Sequence, residues 1–288
     1  MSVYERRFRL KSSDVDKDRR LRTSVLFSML QEAAIAHTEE LGMGREKTLD
    51  RGLLWIVTLQ RAEIERMPLY DEDVVLRSWP GRTMHLLFPR YFSLETEAGE
   101  LLLRASSIWS LIDARTRAIV FPEKHGIEIE GVTTGAEIAL PSAPRPVGQA
   151  ASGQADSAAP QIRTAPQPVG ANGLADGTAP QLCTAERSFT VPYSFVDLNG
   201  HMNNTRYFDL AEDMIFSLEG GFAKAAAASA AQPAAKAPAP KLICSEFSRE
   251  VRLGETITIS LSSDAGKHFI LGTAADGKPC FKLRIETA

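Results

Sequence analysis

The sequence repeats itself at long range, and this repeat limits the folds that the chain can adopt. Residues 8–32 align without a gap with residues 189–213, an offset of 181 (189 − 8). Residues 63–78 align with residues 246–261 at an offset of 183 (246 − 63). Because the offset is almost constant, a gene duplication is indicated, and the chain is predicted to contain two related units.

Two stretches of low complexity interrupt the repeat. Between residues 139 and 185 the composition falls to Ala, Pro, Gly, Gln, Ser and Thr, which cannot bury enough apolar surface to offset the entropy of ordering. A second tract, FAKAAAASAAQPAAKAPAP, covers residues 222–240. We therefore expect an N-terminal unit over 1–138, a linker over 139–185, and a C-terminal unit over 186–288 with an insertion at 222–240.

Each unit has the pattern of a short strand, a helix and several further strands. Apolar residues at helical spacing predict helices over 23–41, ended by Gly42, and over 204–218. In residues 255–261, Ile and Leu alternate with Thr and Ser, as in a half-buried antiparallel strand. The predicted strands are 54–65, 73–79, 85–95, 101–112, 241–251, 255–262, 268–274 and 280–286. The prediction is an α+β fold in which an antiparallel sheet wraps one long helix in each unit, and the two sheets could join side by side.

Charge and composition exclude several functional classes. The 33 Lys and Arg residues face 36 Asp and Glu residues, so no global positive field favours nucleic acid or an anionic membrane. The N-terminal residues lack the apolar core of a signal peptide and no apolar run is long enough for a membrane span, so a cytoplasmic location is expected. Cys183, Cys244 and Cys280 form no CxxC pair, and no HExxH or Gly-rich phosphate loop occurs. We expect no metal site and no cofactor.

Polar residues concentrate in the segment 196–207, VDLNGHMNNTRY. Four of them alternate along the chain, namely Asp197, Asn199, His201 and Asn203, and would point to one side of an extended segment. Asn203, Asn204 or Thr205 can cap the helix that follows, and the free N–H groups of a helix start favour a developing oxyanion. The cluster therefore suits acyl transfer, whereas a second interpretation takes the same residues as ordinary turn and capping residues.

The repeat helps to separate these two interpretations. The first copy keeps an aspartate, Asp16, but has Arg20 in the place of His201. A turn would tolerate either residue, but general acid–base chemistry would not survive the replacement of a histidine by an always-protonated guanidinium. The simple account is one catalytic copy, the second, and one structural copy.

With these residues the sequence resembles the acyl-carrier-protein (ACP) thioesterases of plants and bacteria, which are double hotdog proteins. The pattern DxNxHxNNxxY from Asp197 to Tyr207 carries the resemblance, together with the strand around Trp55 and the segment 71–81, which ends in WPG. The resemblance implies a tandem hotdog fold of the α+β class. It also implies an acyl-ACP thioesterase, which hydrolyses fatty acyl-ACP to free fatty acid and ACP.

The same resemblance implies a catalytic site. It assigns catalytic roles to Asp197, Asn199 and His201, and to a glutamate in a later strand, Glu250. In this scheme Glu250 activates the hydrolytic water, while Asn199 and His201 position the water and the thioester. Plant members carry a cysteine directly after this glutamate, where the present chain has Val251. Direct attack by water is therefore favoured over a cysteine nucleophile.

The resemblance also implies that the first unit holds the acyl chain. This unit is expected to be catalytically degenerate, because Met67 falls on the position of Glu250 (250 − 183). Trp55 is a candidate substrate-binding residue in this unit, and Asn203 and Asn204 are candidates in the second. ACP is the expected partner. A monomer or a homodimer is expected, since two fused units already make the pair that single hotdogs form by dimerising.

Two alternatives stay open at this point. A hotdog thioesterase for acyl-CoA would use the same chemistry with a different carrier. A non-catalytic double hotdog would bind acyl chains or ACP without releasing thiol, although the DxNxH segment and Glu250 argue against it.

Overall fold

A computed structural model of the protein describes residues 3–136, 138–147, 185–218, 220 and 236–288. Most of the predicted linker and most of the predicted insertion lie outside the described residues, so their boundaries stay a prediction. The described start of the linker packs on the first unit. The Ser106 hydroxyl donates to the Ala139 carbonyl at 2.6 Å, and Pro141 and Pro144 are buried.

The described residues form ten strands and two α-helices. In the first half these are β1 (Tyr4–Arg9), α1 (Thr23–Glu40), β2 (Leu53–Ile64), β3 (Asp73–Pro80), β4 (Phe88–Thr96) and β5 (Leu101–Asp113). In the second half they are β6 (Ala185–Thr190), α2 (Arg206–Leu218), β7 (Pro240–Phe247), β8 (Thr256–Asp264), β9 (Lys267–Ala274) and β10 (Pro279–Thr287). The order of elements is the same in both halves, as the repeat predicts.

All ten strands form one antiparallel sheet in the order β1-β3-β4-β5-β2-β7-β10-β9-β8-β6. The halves join where β2 pairs with β7, and Arg61 lies opposite Cys244 in that pairing. Cys244 is the repeat counterpart of Arg61, since 244 − 61 is 183. A residue that pairs with its own counterpart lies on an approximate two-fold axis, so the halves associate as the subunits of a symmetric dimer do.

The register of the outer strands also follows the repeat. Phe8 of β1 lies opposite Val74 of β3, and Phe189 of β6 lies opposite Ile257 of β8. These pairs are related by offsets of 181 (189 − 8) and 183 (257 − 74), the same offsets as in the sequence. The duplication inferred from sparse identities is therefore visible in the backbone pairing.

The helices lie against the sheet and meet near the two-fold axis. The helical spacing predicted four buried residues on α1, and Leu26, Leu30, Ala33 and Ala34 are all buried. Phe27 of α1 stacks on Phe208 of α2 with ring centroids 4.2 Å apart, and the two are repeat counterparts (208 − 27 is 181). Among the described residues, neither helix is long and apolar enough to cross a bilayer.

Two predicted strand boundaries are wrong, and in both places the backbone leaves the sheet. The strand predicted over 241–251 ends at Phe247, because the N–H groups of Ser248 and Arg249 both turn to the Cys280 carbonyl, at 2.8 and 3.2 Å. The strand predicted from residue 85 begins at Phe88, because residues 84–87 form a turn with His85 at φ +53°.

The predicted start of the second helix is also two residues early. Asn203 and Asn204 precede α2, which begins at Arg206. The side-chain oxygen of Asn203 accepts from the N–H and the hydroxyl of Thr205, at 2.9 and 2.7 Å. An Asn that binds the backbone two residues ahead fixes a non-helical turn, which delays the helix.

Candidate functional site

The polar segment before α2 folds as a tight loop held by its own side chains. The N–H of Asp197 donates to the carbonyl of His201 at 2.9 Å, and the Asp197 carboxylate accepts from the N–H of Asn199 at 2.8 Å. Gly200 has φ +81°, a left-handed conformation that glycine adopts without strain. The Asp197 carboxylate therefore organises the loop, and Asn199 lies exposed at its tip.

Backbone pairing brings Glu250 to this loop. The N–H of Met202 donates to the Val251 carbonyl at 2.7 Å, and His201 forms an isolated bridge with Arg252. Glu250 was expected on a strand but lies in the loop after β7, three residues beyond its end. Leaving the sheet frees its side chain from the alternation of a strand, so the carboxylate can turn toward His201.

His201 and Glu250 form a close pair. His201 Nε2 lies 3.0 Å from Glu250 Oε2, and the side chains are 10% and 36% exposed. The contact is an ion pair when the imidazole is protonated. The histidine is thus almost enclosed while one side of the carboxylate remains open to solvent, which is where a small reactant such as water can reach it.

Arg117, which the sequence analysis missed, completes this cluster from the other half of the chain. It lies in the turn after β5, and its Nη2 is 3.1 Å from Glu250 Oε1 and 3.0 Å from His201 Nε2. A guanidinium only donates, so Nε2 of His201 accepts in its hydrogen bond with Arg117, and the contact of Arg117 with Glu250 is an ion pair. No local pattern in the sequence marks this residue, since 84 positions separate it from His201.

The structure distributes the predicted residues around this cluster. It brings His201 and Glu250 into contact and places Asp197 and Asn199 in the supporting loop. The side-chain oxygen of Asn203 accepts from the backbone just before α2, and Asn204 is half-buried beside it. In the first turn of α2, the N–H groups of Arg206 and Phe208 donate to the carbonyls of Asn203 and Thr205, at 3.0 and 3.2 Å, so the helix start favours negative charge through its dipole.

The equivalent position in the first unit has the same backbone and different chemistry. The N–H of Asp16 donates to the Arg20 carbonyl at 2.8 Å, as Asp197 does to His201. Arg20 pairs with Asp18 at 3.1 Å and donates to the Ala237 carbonyl at 2.8 Å, so its guanidinium is fully engaged in structure. Met67, at the position of Glu250, is buried. The first unit therefore has a loop of the same shape but has no acid–base pair at these two positions.

Trp55 lies on β2 in the first unit, far along the sequence from the His201 loop. Its ring is half-buried and meets Phe88 edge-on at 4.7 Å. The indole N–H is buried and has no hydrogen-bond partner among the described residues. Trp55 is thus part of the interior of the first unit and is not one of the residues around His201.

Other titratable groups near the site belong to the core. Tyr207, the last residue of the polar pattern, is 3% exposed and packs on Phe281 at 4.3 Å, and burial raises its pKa. Cys244 and Cys280 are buried, and burial raises the pKa of both thiols, which disfavours the thiolate form. Cys183 lies outside the described residues. Val251, the residue after Glu250, is buried.

Comparisons with known proteins agree with the resemblance of the sequence. Residues 1–127 match the family model of the acyl-ACP thioesterase N-terminal domain. A chloroplastic acyl-ACP hydrolase of Cuphea viscosissima is 25% identical over 123 residues, which are 40% of this chain and 30% of that protein. A chloroplastic palmitoyl-ACP thioesterase of Gossypium hirsutum is 24% identical over 216 residues, which are 71% of this chain and 45% of that protein.

Solved structures show the fold of the chain. The crystal structure of an acyl-ACP thioesterase from Bacteroides thetaiotaomicron matches with a TM-score of 0.68 at 18% identity, covering 99% of this chain and 98% of that one. The predicted tandem hotdog fold of the α+β class is thereby confirmed. By contrast, the sequence matches span less than half the length of each of the two curated relatives named above.

Proposed function

We propose that the protein hydrolyses the thioester of a fatty acyl group carried on ACP, releasing the fatty acid and the free thiol of the carrier. One observation carries the proposal: the second unit sets His201 against Glu250 at 3.0 Å, on a loop whose counterpart in the first unit has Arg20 and Met67. The family match and the two curated relatives, which are an ACP hydrolase and an ACP thioesterase by name, support the choice of substrate.

The geometry supports hydrolysis by directly attacking water. Glu250 takes a proton from the water as the water oxygen bonds to the thioester carbon, which gives a tetrahedral oxyanion. His201 and Asn199 position the water and the thioester, and the positive end of the α2 dipole stabilises the oxyanion. When the C–S bond breaks, the proton passes from Glu250 to the departing sulfur, so the products are a fatty acid and a thiol.

The two units divide the work in this proposal. The first unit, with Trp55 in its interior, holds the acyl chain, while the second carries the reaction. Asn203 keeps the start of α2 in place and Asn204 lies beside the bound thioester. ACP is the protein partner, and a fused pair of units needs no second chain to complete the fold, so a monomer suffices and a homodimer is compatible.

The test is thiol release by the purified full-length protein from a panel of acyl-ACP chain lengths, with the matching acyl-CoA in parallel. Glu250→Gln and His201→Ala should each lower kcat by about 10²–10⁴-fold, because each removes a proton-transfer or positioning group. Glu246→Gln is the matched control, since this glutamate lies in the same segment, pairs with Lys282 at 2.8 Å and should leave turnover unchanged.

Each contrary result has a distinct meaning. Normal turnover in both site variants would refute the assignment of the site. Faster hydrolysis of acyl-CoA than of acyl-ACP would transfer the proposal to the CoA thioester. Saturable binding of acyl-ACP with no thiol release would show a binding protein instead of a hydrolase.

A further inference from the structure

Arg117 is held in an unusual backbone conformation by a well-defined turn. The Asp113 carboxylate accepts from the N–H groups of Arg115 and Thr116, at 3.0 and 2.6 Å, and from the Thr116 hydroxyl at 2.8 Å. These hydrogen bonds lower the pKa of Asp113. The turn closes with the N–H of Arg117 donating to the Asp113 carbonyl at 2.9 Å, and Arg117 has φ +60°.

A left-handed conformation is costly for arginine and persists only where the surroundings impose it. Such strain concentrates at functional sites. In this turn the strained residue is the one whose side chain crosses from the first unit to the second. Its neighbour Arg115 is exposed on the same turn and makes no contact with the cluster among the described residues.

The contacts of Arg117 assign each oxygen of Glu250 to one partner. Oε1 lies 3.1 Å from Arg117 Nη2, and Oε2 lies 3.0 Å from His201 Nε2. A carboxylate bound at both oxygens cannot rotate freely, and each oxygen keeps a lone pair with which to accept from water. Arg117 also donates to Nε2 of His201 at 3.0 Å, so one guanidinium contacts both members of the pair.

We propose that Arg117 is a positioning residue, by which the first unit fixes the Glu250 carboxylate and the His201 ring in their working orientation. The inference rests on the proposed function of the His201 and Glu250 pair. It implies that the catalytic half of the chain is incomplete without the degenerate half, because the guanidinium comes from the turn after β5.

Kinetics test this role. Arg117→Ala should lower kcat by about 10²-fold with little change in KM, because a displaced catalytic group slows the chemical step more than it weakens binding. Arg117→Lys keeps the charge and should recover part of the loss, and added guanidine should partly restore Arg117→Ala. Arg115→Ala, the matched control from the same turn, should leave kcat unchanged.

The double variant separates positioning from structural support. If Arg117 acts through Glu250, the variant Arg117→Ala with Glu250→Gln should be no slower than Glu250→Gln alone. Independent losses that multiply, or a rise in KM with unchanged kcat, would overturn the proposal. Full activity of Arg117→Ala with a lowered urea midpoint would also overturn it, since Arg117 would then only join the units.

A readout without turnover keeps this inference separate from the proposed function. The imidazole nitrogens of His201, assigned by their loss in His201→Ala, should show the Nδ1-protonated tautomer in a long-range ¹H–¹⁵N spectrum of the full chain, because Nε2 accepts from Arg117. Arg117→Ala should give a mixture of tautomers, whereas Arg115→Ala should not. An unchanged His201 signal in Arg117→Ala would overturn the positioning role, even if the wild type hydrolysed no thioester and the proposed function failed.

Discussion

Replacing Glu212 by glutamine should stabilise the protein in a way that depends on pH. Glu212 lies on α2 and contacts the Thr23 hydroxyl at the start of α1, where it lines a cavity with Arg20. Burial raises the pKa of the Glu212 carboxyl to about 7 from its ordinary value of 4.5. The hydrogen bond from Thr23 opposes this rise, and repulsion from Asp209 and Asp16 adds to it.

The sign of the effect follows from proton binding. Between pH 4.5 and 7 the folded protein holds a proton on Glu212 that the unfolded chain has released, so the free energy of unfolding falls as pH rises through this window. Below pH 4.5 Glu212 is protonated in both the folded and the unfolded state, so its ionisation does not lower the free energy of unfolding. Above pH 7 it is ionised in both states, and the free energy of unfolding is lowered by the full amount.

The magnitude follows from the same two values. At 1.36 kcal/mol for each pH unit, the difference between 4.5 and about 7 corresponds to about 3 kcal/mol. The residue as a whole is only partly buried, so this figure is an upper limit. Glutamine keeps the shape and the hydrogen bond with Thr23 but cannot ionise, so Glu212→Gln should match the wild type at pH 4.5 and exceed it by up to about 3 kcal/mol at pH 8.

The assay is urea denaturation of both proteins at four or five pH values from 4.5 to 8.5, with the difference in unfolding free energy plotted against pH. Asp213→Asn is the matched control, because it removes a carboxylate from the exposed side of the same helix. Desolvation also raises the pKa of Asp213, so this control should show a difference of the same sign but smaller, because its side chain is exposed. A difference for Glu212→Gln that is constant across the range, or that grows toward acid pH, would refute the reasoning.

Two packing predictions follow from the core and are measured by urea denaturation. Phe208→Ala should cost about 3–5 kcal/mol, because it removes a fully buried ring that stacks on Phe27 at the axis between the units; a loss below about 1 kcal/mol would contradict this role. Gly272→Ala should cost about 1–3 kcal/mol, because its Cβ would lie 1.9 Å from the ring of Phe281 on the next strand. An unchanged urea midpoint would show that the ring has room to move.

Local chemistry made much of the fold predictable. Helical spacing on α1 and alternation in β8 follow from one buried face, and Ile257, Ile259 and Leu261 are all buried as predicted. The predictions failed where a nearby backbone group competes with the regular element. Ser248 leaves the sheet for a distant carbonyl, and Asn203 holds a turn at the start of α2.

The candidate site was predictable only in part, for a related reason. The loop around His201 is short in sequence, and its turn chemistry is visible in its residues. The place of Glu250 came from the family resemblance, and its position after β7 depends on where the strand ends. The contact of Arg117 with the His201 loop could not be inferred, because no pattern near Arg117 in the sequence indicates a contact with a residue 84 positions away.

The sequence by itself determined the two-fold repeat, the order of helix and strands in each unit, and the asymmetry between Arg20 and His201. These properties are local or periodic, so they can be predicted from residues that are close together in the sequence. Only the tertiary structure decided that Phe27 meets Phe208, that Glu212 contacts Thr23 of the opposite helix, and that Arg117 reaches Glu250. The physical reason is that these contacts depend on how β2 pairs with β7 and how the two helices pack, which no single segment specifies.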